Sequence, residues 1–264
     1  MNNSHLMAAA VSMAILTGTV CRAAIKTETI EYKLGDTVME GYLAYDDAIQ
    51  GSRPAVLIIH EWWGMNDYVK RRAREVAALG YVAFAADMYG KGLRATTMDE
   101  AAKLSRPLMN DRPLMRARAA AALAVLKESK LADPARMAAM GYCFGGTSAL
   151  ELARSGADLA GVVSFHGNLS TSKPEDARNV KAKVLALTGA DDPYTPAAMV
   201  QAFEDEMRKG QADWQLIVYG DAVHSFTNPD SGNDKSKGAA YNEKADHRSW
   251  AHMKLFYEEI FGRP

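Results

Sequence analysis

Short apolar runs alternate with longer segments of helical periodicity along most of the chain. Alternating polar and apolar residues over 25–45, interrupted near Gly35 and Asp36, predict an antiparallel β-hairpin. Continuous apolar runs, typical of strands buried on both faces of a parallel sheet, occupy 55–59, 81–86, 136–142, 159–165, 184–188 and 214–219. Helical spacing of apolar residues predicts helices over 67–79, 99–110, 112–127, 146–154, 197–209 and 245–261. Because strands alternate with helices, the predicted fold class is α/β, with a mostly parallel central sheet and helices on both faces.

Length and charge narrow the class of protein. A chain of 264 residues with 48% apolar residues suits one large domain, which we assign to 25–264. The net charge of −1 gives no reason to expect nucleic acid as a partner. The densest basic run, 70–72 with Arg74, lies on a predicted helix and favours a solvated helix face. The polar region 228–246 is predicted to be a surface loop.

The first 24 residues have the pattern of a signal peptide. Residues 6–20 are uncharged and mostly apolar, and the small residues Ala23 and Ala24 follow, as a cleavage site requires. This predicts a periplasmic or secreted protein without stable membrane insertion after cleavage. The alternative is a cytoplasmic protein with an unusual start, because residues 1–5 lack Lys and Arg. Lipidation of Cys21 is a weaker alternative, since Val20 is large for the position before a lipidated cysteine.

A glycine-framed cysteine stands between a predicted strand and a predicted helix. The segment 141–146 reads Gly-Tyr-Cys-Phe-Gly-Gly, the frame of a nucleophile elbow, with Cys143 where serine is usual. The chain turns there so sharply that only glycine fits at the flanking positions. The positive end of the helix dipole favours the thiolate, which is the attacking form of cysteine. The alternative is a tight turn that buries a structural cysteine.

Acid and base candidates follow at the ends of later strands. The predicted strand 184–188 leads to Asp191 and Asp192, and the last predicted strand leads to His224. The chain order of nucleophile, acid and base is the one that α/β-hydrolases require. Adjacent residues point in different directions, so we expect only one of the two aspartates to face the histidine. In such a site His224 takes the thiol proton and later activates water, while the aspartate fixes the tautomer of its ring.

The reaction also needs two backbone N–H groups that stabilise the oxyanion. Phe144, the residue after the nucleophile, is one predicted donor, and Trp62, after the strand 55–59, is the other. Glu61 lies beside Trp62, and a carboxylate near a thiol must affect its ionisation. The alternative for Glu61 is a loop carboxylate paired with a helix arginine such as Arg71.

Four motifs together resemble the dienelactone hydrolase family, the carboxymethylenebutenolidases, over about residues 28 to 262. They are the elbow 141–146 and the segments 60–66 (His-Glu-Trp-Trp-Gly-Met-Asn), 87–90 (Asp-Met-Tyr-Gly) and 222–226 (Ala-Val-His-Ser-Phe). The resemblance implies an α/β-hydrolase fold in which Cys143 is the nucleophile and His224 the base. The family pattern Gly-x-x-Asp-x-x-x-Pro matches 189–196, which makes Asp192 the triad acid.

The resemblance also assigns the remaining site residues. It implies that Glu61 holds the resting thiol and swings away when substrate binds, and that Trp62 and Phe144 supply the oxyanion hole. Characterised members carry an arginine shortly after the histidine to bind a substrate carboxylate, where this chain has Asn228. The substrate pocket is predicted to be lined by Trp63, Tyr89 and His166, and the alternative for His166 is a structural histidine at a strand end.

The sequence therefore predicts a cysteine-dependent hydrolase of small esters or lactones that works through an acyl-enzyme, with no metal and no organic cofactor. Its partner is a small-molecule substrate, and it is expected to be a monomer or homodimer. Two alternatives are a thioesterase or peptidase with the same triad, and a non-catalytic protein that binds a ligand in a hydrolase scaffold.

Overall fold

The computed structural model describes residues 24–262, so the predicted signal peptide over 1–24 lies, apart from Ala24, outside the described residues. The strands are β1 Ile25–Leu34, β2 Thr37–Asp46, β3 Arg53–Ile59, β4 Val82–Ala86, β5 Ala132–Tyr142, β6 Gly161–Phe165, β7 Lys183–Gly189 and β8 Trp214–Tyr219. The α-helices are α1 Asp67–Ala78, α2 Met98–Asn110, α3 Arg112–Glu128, α4 Phe144–Arg154, α5 Ala197–Gly210 and α6 Glu243–Phe261.

All eight strands form one sheet in the order β1-β2-β4-β3-β5-β6-β7-β8. The first two strands form the predicted hairpin and join the sheet antiparallel, whereas β4, β3 and β5 to β8 are parallel. Every residue of β3, β4 and β6 is buried, because apolar clusters cover both faces of the sheet. The predicted α/β class with a mostly parallel sheet is therefore confirmed.

Side-chain caps explain where several helices begin. The Asn66 carboxamide oxygen accepts a hydrogen bond from the N–H of Val69 at the start of α1. Thr97 and Glu100 form a reciprocal capping box at the start of α2, and Asp111 caps α3. These side chains satisfy N–H groups that have no partner inside a helix, and they set boundaries close to those predicted from periodicity.

Two sequence predictions are corrected by the tertiary structure. The region 228–246 is not simply a surface loop, because it contains two short 3₁₀ helices and the first turn of α6, and Asn228 within it is buried. The basic run on α1 is not fully solvated either. Arg72 is buried, and its guanidinium lies over the rings of three aromatic residues, Tyr68, Tyr142 and Trp250.

Within residues 24–262, no helix has the length and apolar character that crossing a membrane requires.

Candidate active site

Cys143 lies between β5 and α4 in a strained backbone conformation. Its φ of 54° is combined with a ψ of −117°, a sparsely populated conformation that costs a non-glycine residue about 1–3 kcal/mol. The glycines of the elbow serve close packing instead. A Cβ on Gly141 would overlap the carbonyl oxygen of Gly145, and one on Gly145 would overlap that of Ile59. The half-buried thiol therefore sits on a turn that packs against the end of β3.

The loops after β7 and β8 bring an acid and a base together. The Nδ1 atom of His224 lies 2.9 Å from Oδ2 of Asp192, whose side chain is fully buried. The other oxygen, Oδ1, accepts a hydrogen bond from the N–H of Tyr194 at 2.8 Å. The neighbouring Asp191 is exposed. Of the two aspartates that the sequence leaves open, Asp192 is therefore the one that contacts the histidine.

The electrostatics of His224 connect it to Cys143 as well. Burial acts to lower the pKa of His224, but the negative charge of Cys143 and the hydrogen bonds with Asp192 and Cys143 outweigh it. The net effect raises the pKa of His224 well above its ordinary value. Asp192 and Cys143 therefore both favour the protonated form of the His224 imidazole.

Glu61 is buried at the end of β3, and both of its oxygens are bound by neutral groups. The Ser225 hydroxyl donates to Oε1 at 3.2 Å, and the Asn228 amide donates to Oε2 at 2.7 Å. Burial raises the pKa of Glu61, and the hydrogen bonds from Asn228 and Ser225 and the charge of His224 oppose that shift only in part. The alternative pairing with Arg71 is not observed, because Arg71 pairs with Glu75 on its own helix.

The two predicted oxyanion donors stand on adjoining elements. Phe144 is the first residue of α4, and the first N–H groups of a helix have no partner within it. The Trp62 peptide is held by the Tyr89 hydroxyl, which donates to its carbonyl oxygen at 3.0 Å. His60 packs between Tyr89 and Phe144, with ring centroids 4.8 and 5.9 Å away. This aromatic contact couples the end of β3 to the elbow.

The three residues predicted to line the pocket differ in position. Trp63 is half-buried and packs edge-on against Trp62, whereas Tyr89 is buried with its hydroxyl bound to a backbone group. His166 is fully buried, and both ring nitrogens are bound by protein groups. It therefore lies beside the Cys143 peptide and offers no polar atom to a substrate.

Sequence reasoning misses the partners of these residues. Ser225, Thr227 and Asn228 all follow His224 closely, but only Asn228 carries a signal in the sequence, as the replacement of an arginine. Tyr68 on α1 reaches the same loop, with its hydroxyl 2.6 Å from Oγ1 of Thr227. No local pattern signals these contacts, because they join segments that lie far apart in the chain.

The arrangement can support nucleophilic attack by a thiol with proton transfer through an imidazole. Among the described residues 24–262, no three His, Cys, Asp or Glu side chains are grouped so that they could hold a metal ion.

The sheet order and the elbow between β5 and α4 define an α/β-hydrolase. The model of the dienelactone hydrolase family matches residues 39–261. The chain therefore belongs to the dienelactone hydrolase family, and it is a hydrolase of that type.

Similar proteins of known structure or sequence support this family assignment. The solved structure named m3DLH is 41% identical with a TM-score of 0.87, covering 90% of this chain and 99% of its own. The dienelactone hydrolase-like promiscuous phosphotriesterase P91, from metagenomic libraries, is 38% identical with a TM-score of 0.86, covering 90% and 100%. A protein of Methylorubrum extorquens named "Putative carboxymethylenebutenolidase" is 28% identical over 207 residues, covering 75% of this chain and 71% of its own.

Proposed function

We propose that this protein hydrolyses small esters or lactones with Cys143 as nucleophile, His224 as base and Asp192 as the acid that orients the base. The observation that carries the proposal is the contact of His224 with Asp192, 2.9 Å from Nδ1 to Oδ2, together with the electrostatic influence of Cys143, which raises the pKa of the same imidazole. A thiol alone in a turn has no need of such a pair, whereas acyl transfer requires it.

The cycle has two halves. His224 takes the proton of the Cys143 thiol, and the sulfur attacks the carbonyl carbon. The N–H groups of Phe144 and Trp62 stabilise the oxyanion. Collapse of this intermediate breaks the ester C–O bond, and His224 returns its proton to the leaving oxygen. A water molecule then gives a proton to His224 and attacks the thioester, and the second collapse releases the acid and restores the thiol.

We assign Glu61 to a controlling role in this cycle. If its carboxylate turned toward Cys143, it would accept the S–H proton and keep the thiol unreactive. In the described conformation Ser225 and Asn228 hold Glu61 instead, and Cys143 is left to His224. We propose that this is the active arrangement and that Asn228 is the group that retains Glu61 in it.

Asn228 also bears on the substrate. A neutral amide that is already bound to Glu61 cannot neutralise a substrate carboxylate as an arginine does. We therefore propose neutral esters or lactones as substrates, in preference to compounds that carry a free carboxylate beside the scissile bond.

The preference for neutral substrates also suggests a second activity. Phosphotriesters are neutral electrophiles, and a relative that is 38% identical over nearly the whole chain is named a promiscuous phosphotriesterase. We propose hydrolysis of phosphotriesters as a secondary activity that uses the same thiol.

The test compares the wild-type protein with Cys143→Ala on p-nitrophenyl acetate, with iodoacetamide labelling of both. We expect the variant to lose turnover together with the label that the wild type carries at Cys143. Undiminished hydrolysis by Cys143→Ala would remove the proposal. Diethyl succinate and monoethyl succinate then form a matched substrate pair, and a preference for the monoester would contradict the role given to Asn228. Paraoxon is the substrate that tests the second activity. Paraoxon hydrolysis that is unaffected by Cys143→Ala would reject the proposal that the same thiol performs it.

A further inference from the structure

We propose that His166 is a positioning residue, which holds the Cys143 elbow and the loop that carries His224 in one fixed arrangement. The inference rests on the proposed function, because positioning matters to turnover only if Cys143 is the nucleophile. His166 does not touch the reacting atoms in this proposal. It acts through the Cys143 peptide on one side and through Thr227 on the other.

The strained Cys143 backbone needs support from outside the elbow. Its N–H donates to two acceptors at the end of β6, the carbonyl oxygen of Phe165 at 3.0 Å and Nδ1 of His166 at 3.1 Å. A conformation with positive φ at a non-glycine residue persists only when its surroundings over-determine it. These two bonds therefore fix the direction of the thiol and of the adjoining Phe144 N–H.

The tautomer of His166 follows from its partners. Because Nδ1 accepts from Cys143, the ring hydrogen lies on Nε2, which donates to Oγ1 of Thr227 at 2.7 Å. Burial lowers the pKa of His166 well below its ordinary value, and the charges of His224 and Arg72 act in the same direction. The His166 ring is therefore neutral, and both of its nitrogens have hydrogen-bond partners. This suits a structural link and excludes proton transfer.

Thr227 belongs to the same loop as His224, and that loop is also held from α1. The Thr227 hydroxyl lies 2.6 Å from Oη of Tyr68, and the Arg72 guanidinium donates to the Thr227 carbonyl oxygen at 2.8 Å. Arg72 is itself fixed by Asp246 at 2.6 Å. Thr227, Tyr68, Arg72 and Asp246 are all buried. The loop thus has one rigid anchor on α1, and its connection to the nucleophile runs through His166.

This connection sets the spacing of nucleophile and base. The His166 and His224 rings are also in edge contact, with centroids 5.2 Å apart. A displacement of about 1 Å between reacting groups costs roughly 100-fold in rate. We therefore expect His166→Leu, which removes both hydrogen bonds, to lower kcat for p-nitrophenyl acetate by roughly 10–100-fold. KM should change little, because the pocket wall is unaltered.

Two conservative replacements separate positioning from stability. His166→Asn keeps an acceptor near the Nδ1 position and should recover most of the lost kcat. Thr227→Ser keeps the hydroxyl and should stay near the wild type, whereas the isosteric Thr227→Val should follow His166→Leu. The matched control is His252→Asn on α6. It removes the contact of His252 Nδ1 with the Tyr219 hydroxyl, 2.8 Å away, and should leave kcat unchanged.

The second readout needs no turnover. The pH profile of Cys143 alkylation by iodoacetamide reports how closely His224 approaches the thiol, and we expect it to move to higher pH in His166→Leu and Thr227→Val. Wild-type kcat and an unmoved profile in both variants would overturn the inference. The inference would also be overturned if His166→Leu and His166→Asn lost equal amounts of kcat and these losses paralleled the decreases in their thermal midpoints. Failure of the proposed function has a different signature, which is hydrolysis that survives Cys143→Ala.

Discussion

The bond between Asn228 and Glu61 makes a sharp prediction about stability and pH. In Asn228→Asp, a carboxylate oxygen replaces the amide nitrogen that now lies 2.7 Å from Oε2 of Glu61. Both residues are buried, so the two carboxylates would face each other with little solvent between them. The amide and the carboxylate have nearly the same shape, and the effect of the substitution is therefore almost purely electrostatic.

The magnitude follows from that distance. Two unit charges 2.7 Å apart repel by roughly 6 kcal/mol at an effective dielectric constant of about 20. The lost hydrogen bond to a charged group adds about 1.5–3 kcal/mol, but the pair can relieve the repulsion by taking up a proton. We therefore expect Asn228→Asp to lower the free energy of unfolding at pH 8 by about 3–6 kcal/mol, or the thermal midpoint by roughly 6–24 °C.

The sign of the pH dependence is fixed. In the folded variant, the two facing carboxyl groups would share a proton, so the pKa of the pair is raised above the pKa of the same groups in the unfolded chain. A raised acid pKa means that stability is greatest at low pH and is lost as the pH rises through the folded value. Burial already raises the pKa of Glu61 in the wild type. The variant should therefore have the steeper loss, by up to about 1.4 kcal/mol per pH unit.

The assay is urea unfolding from pH 5 to pH 8, followed by circular dichroism. The double variant Glu61→Gln with Asn228→Asp is the control, because it leaves a single charge with an amide donor and should recover most of the stability. Parallel pH dependences for the wild type and Asn228→Asp would refute the reasoning, since the two side chains would then not share a buried site.

Three further predictions address the triad, the elbow and the N-terminus. Asp192→Asn should lower kcat by roughly 10³–10⁴-fold, because an amide no longer fixes the tautomer of His224, and steady-state kinetics measures the loss. Gly145→Ala should destabilise the fold by about 1–3 kcal/mol or more, since its Cβ would overlap a carbonyl oxygen of β3, and thermal unfolding measures it. We also propose that residues 1–24 are removed on export, which mass spectrometry of the mature protein from a bacterial periplasm checks.

Each of these predictions has its own control. Asp191→Asn changes the exposed neighbour of Asp192 and should leave kcat intact, so equal losses in both variants would argue against the assigned acid. A Cβ on Gly220 meets no atom within 4 Å, and a midpoint for Gly220→Ala as low as that of Gly145→Ala would show that the close approach is not the cause. A cytoplasmic protein that retains its first residues would contradict export.

Local patterns are enough to predict the order of strands and helices and the elbow, for a physical reason. Strands that are buried on both faces must be largely apolar. Every residue of β3 and β4 is buried, and both strands are largely apolar. A turn in which α4 packs directly against β3 needs glycine at Gly141 and Gly145. The start of α4 is predicted less well. The helix begins at Phe144, immediately after Cys143, because glycines in its first turn weaken the helical pattern.

Contacts between distant segments are decided only by the tertiary structure. The sequence places Asp191 and Asp192 at the end of a strand but does not choose between them by side-chain direction, because that direction depends on the loop after β8. It shows Asn228 as a missing arginine and Arg72 as one of several surface charges. Folding brings Asn228 to Glu61 and buries Arg72 against the loop that carries His224.

By itself, then, the sequence determined the α/β class, the glycine-framed cysteine and the chain order of Cys143, the aspartate pair 191–192 and His224, because these depend on periodicity and on local steric limits. The tertiary structure decided the partners of Glu61 and those of His166, whose ring nitrogens both face protein groups. The physical reason is that a buried polar group must find hydrogen-bond partners. Here those partners come from segments that only the folded sheet brings together.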